Sequence, residues 1–198
     1  MVLAGGEGRR INGDKPLQTV GGRTLLDRAL DRAAGYSDLV ALSVRGAGQA
    51  KAAVRRLIDD PAIPGPLAGI DSALRFARES GADAVLTIPC DAPFLPDDLM
   101  ERLARALTER VGVAIARSGG RLHPVCALWR AGLDDQLRTY AATGRGALMG
   151  LADAVGWTAV EWPAEPVDPF FNVNTPEDLD EAEALLASRA TGSGRLQR

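Results

Sequence analysis

A short segment near the start of the chain concentrates residue types that bind phosphate. Its sequence is "LAGGEGRRINGDKP" (residues 3–16), with four glycines, two adjacent arginines and a lysine. Glycine lets the backbone approach an anion closely, and successive N–H groups can form an anion-binding nest. Arg9, Arg10 and Lys15 add positive charge to a chain whose formal net charge is -3. We interpret the segment as a polyphosphate-binding loop; the alternative is a glycine-rich surface loop with solvated charges.

The spacing of this segment excludes two familiar phosphate-binding motifs. It lacks the G-x-x-x-x-G-K-[ST] pattern of a Walker A loop. Gly6, Gly8 and Gly13 do not have the G-x-G-x-x-G spacing of a dinucleotide fingerprint. The chain has only two lysines among its 23 basic residues, so a lysine inside the loop is informative. A compact ammonium suits a single phosphate oxygen better than a planar guanidinium does.

A second candidate is Asp91, in "IPCDAPFLP" (residues 88–96). It follows an apolar strand-like run, where a carboxylate would project into a crevice at the end of a sheet. A carboxylate facing a triphosphate indicates Mg²⁺, which binds one or two protein oxygens and takes its other ligands from phosphates and water. The alternative is a helix cap, but Asp97 and Asp98 are better placed for that role.

Two further segments carry polar side chains. In "FFNVNTPEDL" (residues 170–179), Asn172 and Asn174 alternate and would point to one side of an extended chain, where they could hold a metal, a ribose or a phosphate. The alternative is that Asn174 or Thr175 caps the next helix. The loop "DDPAIPGPLAG" (59–69) could wall a base pocket, with Asp60 or Asp59 accepting the N1–H and N2–H₂ donors of guanine, or it could be an ordinary connection.

Composition limits what these segments can belong to. The chain has 198 residues, 46% of them hydrophobic and 25% charged, which predicts a globular protein with a proper core. A pI near 5.3 argues against nucleic-acid binding. No apolar run approaches the roughly 20 residues that span a bilayer, so we expect no membrane partner and a cytoplasmic location. Cys90 and Cys126 form no metal-ligand cluster and are interpreted as buried thiols.

Strand-like and helix-like segments alternate along the chain. We predict strands over 1–4, 38–44, 84–89, 111–117, 123–129 and 158–163, and helices over 24–35, 48–58, 67–81, 97–110, 133–143, 146–153 and 176–190. The strands over 111–117 and 123–129 would form a hairpin. This order predicts an α/β fold: a Rossmann-like, doubly wound, mostly parallel (mixed) sheet with helices on both faces. We expect one domain over residues 1–188 and a disordered tail over 189–198.

In such a sheet, ligands bind beyond the carboxyl ends of the strands, which is where the loops described above would lie. Five motifs, in order, are "LAGGEGRRINGDKP", "GPLAGI", "IPCDAPFLP", "HPVCALW" and "NVNTPEDL". Together, from Val2 to about Leu186, they resemble the molybdenum cofactor guanylyltransferase (MobA-type) family of the nucleotidyltransferase superfamily. The double glycine of "LAGG" favours this family over related cytidylyltransferases.

The resemblance implies transfer of GMP from GTP to the terminal phosphate of molybdopterin, which yields the guanine dinucleotide cofactor and pyrophosphate. GTP and molybdopterin would be the small-molecule partners, with proteins of cofactor biosynthesis or delivery as further partners. Two alternatives stay open: a related nucleotidyltransferase with another base or acceptor, such as a molybdopterin cytidylyltransferase, and a non-catalytic nucleotide-binding protein on the same scaffold.

The resemblance also implies residue roles. Arg10, Lys15 and Asp91 would be catalytic, with Asp91 binding Mg²⁺ and Asn174 as the second metal or phosphate partner; the nucleotide would be bound by Leu3, Ala4, Gly5, Gly6, Lys15, Asp60, Gly65, Asn172 and Asn174. The chain departs from the family pattern at Ile11 and Asn12, where methionine and glycine are usual. It also reads "SVRG" (residues 43–46) in a turn that often contains asparagine, so we transfer no ligand to this turn.

The expected reaction needs no activated nucleophile. The attacking phosphate monoester is already anionic, because its second pKa is about 6. Catalysis then rests on positioning and charge neutralisation. The sole histidine, His123, could be a structural residue at a hairpin end or could lie near the pterin.

Overall fold

The computed structural model describes residues 1–5, 15–46, 48 and 52–193, with side chains up to residue 188. The strands are β1 (Val2–Leu3), β2 (Thr19–Val20), β3 (Arg23–Thr24), β4 (Ala41–Val44), β5 (Arg55–Ile58), β6 (Ala84–Pro89), β7 (Val113–Ser118), β8 (Arg121–Arg130) and β9 (Trp157–Trp162). The helices are α1 (Leu25–Tyr36), α2 (Leu67–Ser80), α3 (Leu99–Ala106), α4 (Asp134–Ala142), α5 (Leu148–Val155) and α6 (Pro176–Ser193).

Seven of these strands form one sheet in the order β5-β4-β1-β6-β8-β7-β9. The pairs from β5 to β6 are parallel, as is the pair of β7 with β9. Strand β8 runs antiparallel to both of its neighbours, β6 and β7. The predicted mostly parallel, mixed sheet is therefore confirmed, and so is the hairpin of β7 and β8.

Alternation along the strands produces one hydrophobic layer on each face of the sheet. In β7, Val113 and Ile115 pack with α2, α4 and α5, whereas Ala114 and Ala116 pack with α1 and α3. All four side chains are fully buried. Successive side chains of a strand point to opposite faces, so a strand buried on both faces must be apolar at every position. The sheet is thus covered by helices on both sides, as predicted.

The predicted helix over 48–58 is wrong in the part that the structure describes: residues 52–54 are not helical, and residues 55–58 form strand β5. Residues 49–51 of this prediction lie outside the described part of the chain. Strand β5 pairs in parallel with β4 from Arg55 to Ile58, and only Leu57 of its four residues is buried. The segment over 48–58 consists mainly of small and apolar residues with two adjacent arginines. This composition is compatible with a helix and also with a short edge strand. The backbone hydrogen bonds offered by β4 decide between them, because tertiary context overrides a weak local propensity.

The sequence pattern also missed the small antiparallel pair β2 and β3. Gly21 and Gly22 form its turn with φ of 59° and 71°, the left-handed region that a two-residue hairpin turn of this kind requires. The backbone N–H of Gly21 donates to Oε1 of Glu183 in α6, at 2.7 Å. This contact ties the chain just after Lys15 to the C-terminal helix.

Helix α6 extends to Ser193, and residues 194–198 lie outside the described part of the chain. The domain boundary at residue 188 and the disordered tail stay predictions. Within the described residues, no helix is both long and apolar enough to cross a membrane.

Candidate active site

A cavity of about 390 Å³ opens where β1, β4, β5 and β6 end. We call it the carboxyl-edge cavity. Its lining comprises backbone and side chains from separate segments of the chain: Leu3, Ala4, Gly5, Lys15, Pro16, Ser43, Arg45, Asp59, Gly65, Pro66, Gly69, Pro89, Cys90, Asp91, Val125 and Asn174. Its position agrees with the rule that open α/β sheets bind ligands beyond the carboxyl ends of their strands.

Lys15 connects two distant acceptors in this cavity. Its Nζ forms an ion pair with Oδ2 of Asp91 and donates to Oδ1 of Asn174 at 2.8 Å. Its side chain is only 13% exposed. A short 3-10 turn over Lys15–Leu17 holds its backbone, with the N–H of Gln18 donating to the carbonyl of Lys15. The fold thus brings together three residues that the sequence separates by up to 159 positions.

Asp91 is placed by the end of β6. The N–H of the preceding Cys90 donates to the carbonyl of Leu3 at 3.1 Å, which continues the β1–β6 ladder up to the cavity. Oδ2 of Asp91 meets Lys15, but Oδ1 is buried and meets no donor among the described residues. A buried carboxylate oxygen without a donor is costly, so this atom suits a bound cation.

A metal at this position would take few ligands from the described part of the chain. The described part of the chain contains no group of three or more His, Cys, Asp and Glu side chains that could hold a metal. Next to Lys15, the side-chain oxygens that could contact a cation are those of Asp91 and Asn174. One carboxylate and one amide fit the way Mg²⁺ binds beside substrate phosphates.

The segment before α6 delivers Asn174 to the cavity. The N–H of Val173 donates to the carbonyl of Asp91 at 2.9 Å, so the two segments are hydrogen-bonded next to Lys15. Thr175 is the helix cap: its Oγ1 accepts from the N–H of Asp178, whose carboxylate accepts from the N–H of Thr175 in return. The capping role falls to Thr175, which leaves the side chain of Asn174 for Lys15. Asn172 does not line the cavity; its carbonyl accepts from Nδ2 of Asn174 at 3.4 Å.

The structure separates the two adjacent aspartates after β5. Asp59 lines the cavity and is 7% exposed, and its Oδ1 accepts from the hydroxyls of Ser43 at 2.6 Å and Ser72 at 2.9 Å. Asp60 is not part of the lining, and its Oδ1 accepts from the N–H of Ala62 at 2.9 Å in a local turn. The nucleotide contact that the resemblance implies for Asp60 therefore stays a prediction. Of the two aspartates, Asp59 is the one that lines the cavity.

The remaining predicted residues divide into two sets. Leu3, Ala4, Gly5 and Gly65 line the cavity, and their contacts with a nucleotide stay predictions. Gly6 and Arg10 lie outside the described residues. The sequence analysis transferred no ligand to the "SVRG" turn (residues 43–46), and the structure places Arg45 of this turn in the cavity lining.

The sole histidine belongs to a buried polar cluster next to the hairpin. Ser118 donates from Oγ to Oδ1 of Asp168 at 2.8 Å, so Nε2 of His123, 2.8 Å from the same Oγ, is the donor in that contact. The imidazole stacks on Phe170 with ring centroids 4.7 Å apart. Burial is the main cause that lowers the pKa of His123 below its usual value of 6.5.

This pKa shift predicts a pH-dependent stability. In the window between the unfolded value of 6.5 and the lowered folded pKa of His123, the folded state binds fewer protons than the unfolded state. The contribution of His123 to the free energy of unfolding is therefore fully present above this window. It declines as the pH falls through the window, by at most about 1.4 kcal/mol per pH unit. We expect His123→Gln, which keeps a donor for Ser118 but cannot titrate, to show a smaller decline.

Urea unfolding of both proteins between about pH 7.5 and about pH 5.5 measures this difference directly. Carboxylates elsewhere titrate equally in the two proteins and cancel in the comparison. An identical decline in the wild type and the variant would contradict the prediction.

Known proteins of similar sequence cover most of this chain. Residues 1–159 match the MobA-like NTP transferase domain. The molybdenum cofactor guanylyltransferase of Rhodopseudomonas palustris (strain BisB5) is 42% identical over 195 residues, covering 93% of this chain and 92% of the relative. The protein of the same name from Cereibacter sphaeroides is 39% identical over 192 residues, covering 96% and 97%.

Solved structures show the same fold. A molybdopterin-guanine dinucleotide biosynthesis protein A from Archaeoglobus fulgidus matches with a TM-score of 0.77 at 22% identity, covering 94% of this chain and 97% of that one. A 2-C-methyl-D-erythritol 4-phosphate cytidylyltransferase from Thermus thermophilus matches with a TM-score of 0.67 at 21% identity, covering 94% and 97%. The fold is thus common to proteins named for different bases. The match over residues 1–159 and the identity to full-length relatives show that this chain belongs to the MobA-like NTP transferase family.

Proposed function

We propose that this protein transfers GMP from GTP to the terminal phosphate of molybdopterin, forming molybdopterin guanine dinucleotide and releasing pyrophosphate. The observation that carries the proposal is the contact of Lys15 with both Asp91 and Asn174 in the carboxyl-edge cavity. Relatives about 40% identical over nearly the whole chain are named for this activity.

Lys15 is arranged to donate to a phosphate. An ammonium carries three protons, and in the described residues two of them point to Asp91 and Asn174. The third can donate to an oxygen of the triphosphate, where charge builds up as the bond to pyrophosphate breaks. The carbonyl of Asp91 accepts from the N–H of Val173, and the N–H of Asn174 donates to Asp178, so the main chain of both partners is held in place. The ammonium is therefore oriented before the substrate arrives, and such preorganisation contributes to catalysis of phosphoryl transfer.

The reaction balances without a protein nucleophile. An anionic oxygen of the acceptor phosphate attacks the α-phosphorus of GTP, and a new P–O–P linkage forms. The bond between the α-phosphorus and its bridging oxygen to the β-phosphate breaks, and pyrophosphate leaves with that electron pair. The acceptor needs no general base, because its phosphate is largely deprotonated near neutral pH.

We further propose that a divalent cation, Mg²⁺, binds at Asp91, with Asn174 beside it. The support is the buried Oδ1 of Asp91, which lacks a donor among the described residues. When bound, the cation would neutralise charge on the triphosphate and on the leaving pyrophosphate. Among the described residues, the side chain that forms an ion pair with Asp91 is that of Lys15.

The proposal is tested with purified protein, molybdopterin and MgCl₂, measuring pyrophosphate release and the dinucleotide product with GTP, CTP and ATP in parallel. We expect turnover with GTP and at least about tenfold lower kcat/KM with CTP, since recognition of polar base edges discriminates strongly. Preference for CTP would make the protein a cytidylyltransferase. Nucleotide binding without turnover would indicate the non-catalytic alternative.

Several finer expectations stay predictions. They are the phosphate contact of Arg10, the nucleotide contacts of Gly6, Asp60 and Asn172, the cytoplasmic location, and contacts with other proteins of cofactor biosynthesis or delivery.

A further inference from the structure

The segment that carries Asn174 to Lys15 lies outside the helices and strands. Residues 169–170 form a turn, and residues 171–174 belong to neither a helix nor a strand. Oδ1 of Asn174 nevertheless accepts from Lys15 at 2.8 Å, a contact that requires a definite position of the amide. Ordering such a segment costs conformational entropy, which specific contacts must offset. The contacts that hold the start of this segment therefore bear on the geometry of the carboxyl-edge cavity.

Asp168 fixes the start of the segment to the sheet. Its Oδ1 accepts from the hydroxyl of Ser118 at 2.8 Å and from the N–H of Phe170 at 2.9 Å. Its carbonyl accepts from the N–H of Phe171 at 3.2 Å. Ser118 is the last residue of β7, and β8 runs antiparallel to both β6 and β7. Strand β7 therefore ends at the same edge of the sheet as β6, which Asp91 follows.

The imidazole of His123 holds the same region through two contacts. Its Nε2 lies 2.8 Å from Oγ of Ser118, and its ring stacks on Phe170 with an interplanar angle of 20°. The other neighbour of Phe170 is Trp162, which meets it edge-on with ring centroids 5.5 Å apart. All of these side chains are buried. The start of the segment is thus fixed by hydrogen bonds and by the packing of rings.

Serine, histidine and aspartate also form hydrolytic triads, but the order of contacts here is different. In a triad, the histidine lies between the hydroxyl and the carboxylate and takes the proton of the hydroxyl. Here the hydroxyl of Ser118 lies between His123 and Asp168 and donates to the carboxylate. None of the three residues lines the carboxyl-edge cavity. The cluster therefore supplies no nucleophile, and its effect on the site passes through the segment that it holds.

Two contacts at the other end of the segment transmit its position to the site. The N–H of Val173 donates to the carbonyl of Asp91 at 2.9 Å, and the side chain of Val173 is fully buried. The next residue, Asn174, contacts Lys15. A hydrogen bond weakens steeply as its distance and angle depart from their preferred values. Release of the segment at Asp168 would therefore weaken the contact between the amide and the ammonium.

We propose that Ser118, His123 and Asp168 are positioning residues for the transfer reaction. They fix the start of the segment to the β7–β8 hairpin, and through the segment they hold the amide of Asn174 against Lys15. The inference rests on the proposed transfer of GMP, in which Lys15 donates to the triphosphate. It gives a function to a polar cluster that the reaction itself does not use.

The first test is a double-mutant cycle on kcat with Asp168→Ala and Asn174→Ala. The rates are measured with saturating GTP, molybdopterin and MgCl₂. We expect kcat to fall about tenfold in Asp168→Ala, because a displaced amide no longer aligns Lys15 with the triphosphate. In the Asn174→Ala background, Asp168→Ala should cause no further loss, because the contact that it displaces is already absent. Ser118→Ala, a smaller change, should give the same pattern and replaces Asp168→Ala if that variant does not fold.

This pattern separates positioning from a loss of folded protein. A fraction of unfolded enzyme would lower kcat by the same factor in the wild type and in Asn174→Ala, so equal factors would overturn the inference. Full activity of Asn174→Ala would also overturn it. Asp168→Asn keeps an Oδ1 acceptor for Ser118 and for the N–H of Phe170, and it should restore most of the wild-type kcat. A loss as large as that of Asp168→Ala would show that these hydrogen bonds do not carry the effect.

A second measurement needs no turnover. The chain has three asparagines, so isotope-labelled asparagine gives few side-chain amide signals in an NMR spectrum, and the signal of Asn174 is the one lost in Asn174→Ala. Without substrate, this signal should shift in Asp168→Ala and stay near its wild-type position in Asp168→Asn. An unchanged signal in Asp168→Ala would overturn the inference. If the wild type transfers no GMP, the proposed function fails, while this signal still shows whether the cluster positions Asn174.

The matched control is Asp153→Ala. The carboxylate of Asp153 accepts from Nε1 of Trp157 at 2.9 Å, at the opposite end of β9 from Trp162. This variant also removes an aspartate that accepts a hydrogen bond, but it lies away from the segment before α6. We expect wild-type kcat and an unchanged Asn174 signal. Changes equal to those of Asp168→Ala would contradict a role specific to the Asp168 cluster.

Discussion

In a Lys15→Met variant, kcat for GMP transfer falls by about 10²- to 10³-fold, the loss typical for removing one preorganised donor to a developing oxyanion. Methionine keeps the length and apolar stem of the side chain, which is only 13% exposed, and removes the charge. The contacts with Asp91 and Asn174 hold this ammonium at the cavity, where methionine cannot donate a hydrogen bond. Steady-state kinetics with saturating GTP and acceptor measure the effect.

The chain offers a close control for this variant. Its only other lysine is Lys51, and Lys51→Met should keep wild-type kcat. A Lys15→Arg variant should recover little activity, because a planar fork does not replace a compact ammonium between two fixed acceptors. Removing Lys15 leaves the carboxylate of Asp91 without its charged partner, which could destabilise the fold. Unfolding curves of Lys15→Met show whether the loss of kcat comes from such a loss of stability. Full activity in Lys15→Met would refute the role of the ammonium.

In an Asp91→Asn variant, we expect kcat/KM for GMP transfer to fall by about 10³-fold. The change removes both the charged partner of Lys15 and the proposed ligand of the cation. The amide has the same shape and can still accept from Lys15, so the fold should persist. The Mg²⁺ concentration for half-maximal activity should rise, since a neutral oxygen binds a hard cation more weakly than a carboxylate. A titration of rate against MgCl₂ measures both quantities.

The control is Asp97→Asn, another aspartate close in sequence whose carboxylate pairs with Arg32 and is 91% exposed. It should leave both the rate and the Mg²⁺ dependence unchanged. If Asp91→Asn lowered the rate with an unaltered Mg²⁺ dependence, Asp91 would act through Lys15 alone. If the variant were fully active, the cation site proposed at Asp91 would be wrong.

Much of this site was accessible from the sequence because its chemistry is local. Lys15, Asp91 and Asn174 each follow or precede a recognisable element, and the rule for parallel sheets predicts that such positions meet at one edge. Their residue types, an ammonium, a carboxylate and an amide, already indicated a triphosphate with a cation. The structure then shows Lys15 in direct contact with both Asp91 and Asn174.

Other features depended on contacts that no local pattern encodes. The segment ending at Ile58 fits a helix and a strand equally, and pairing with β4 selects the strand. Asp59 and Asp60 are adjacent at the end of a strand, and the sequence does not say which of them lines the cavity. Because side chains alternate there, one residue decides between the cavity and a local turn. The hydroxyls that hold Asp59 come from β4 and α2, which only folding brings near it.

The sequence alone thus specified the alternating elements, the sheet class and the candidate phosphate-binding residues, since each follows from periodicity or from residue type. Tertiary structure specified the strand order, the antiparallel insertion of β8, the placement of Asp59 in the cavity lining, and the partners of Lys15. The physical reason is the distance along the sequence over which each kind of interaction acts. Periodicity and capping act over a few residues, whereas the contacts that aim a side chain into a cavity join segments up to 159 positions apart.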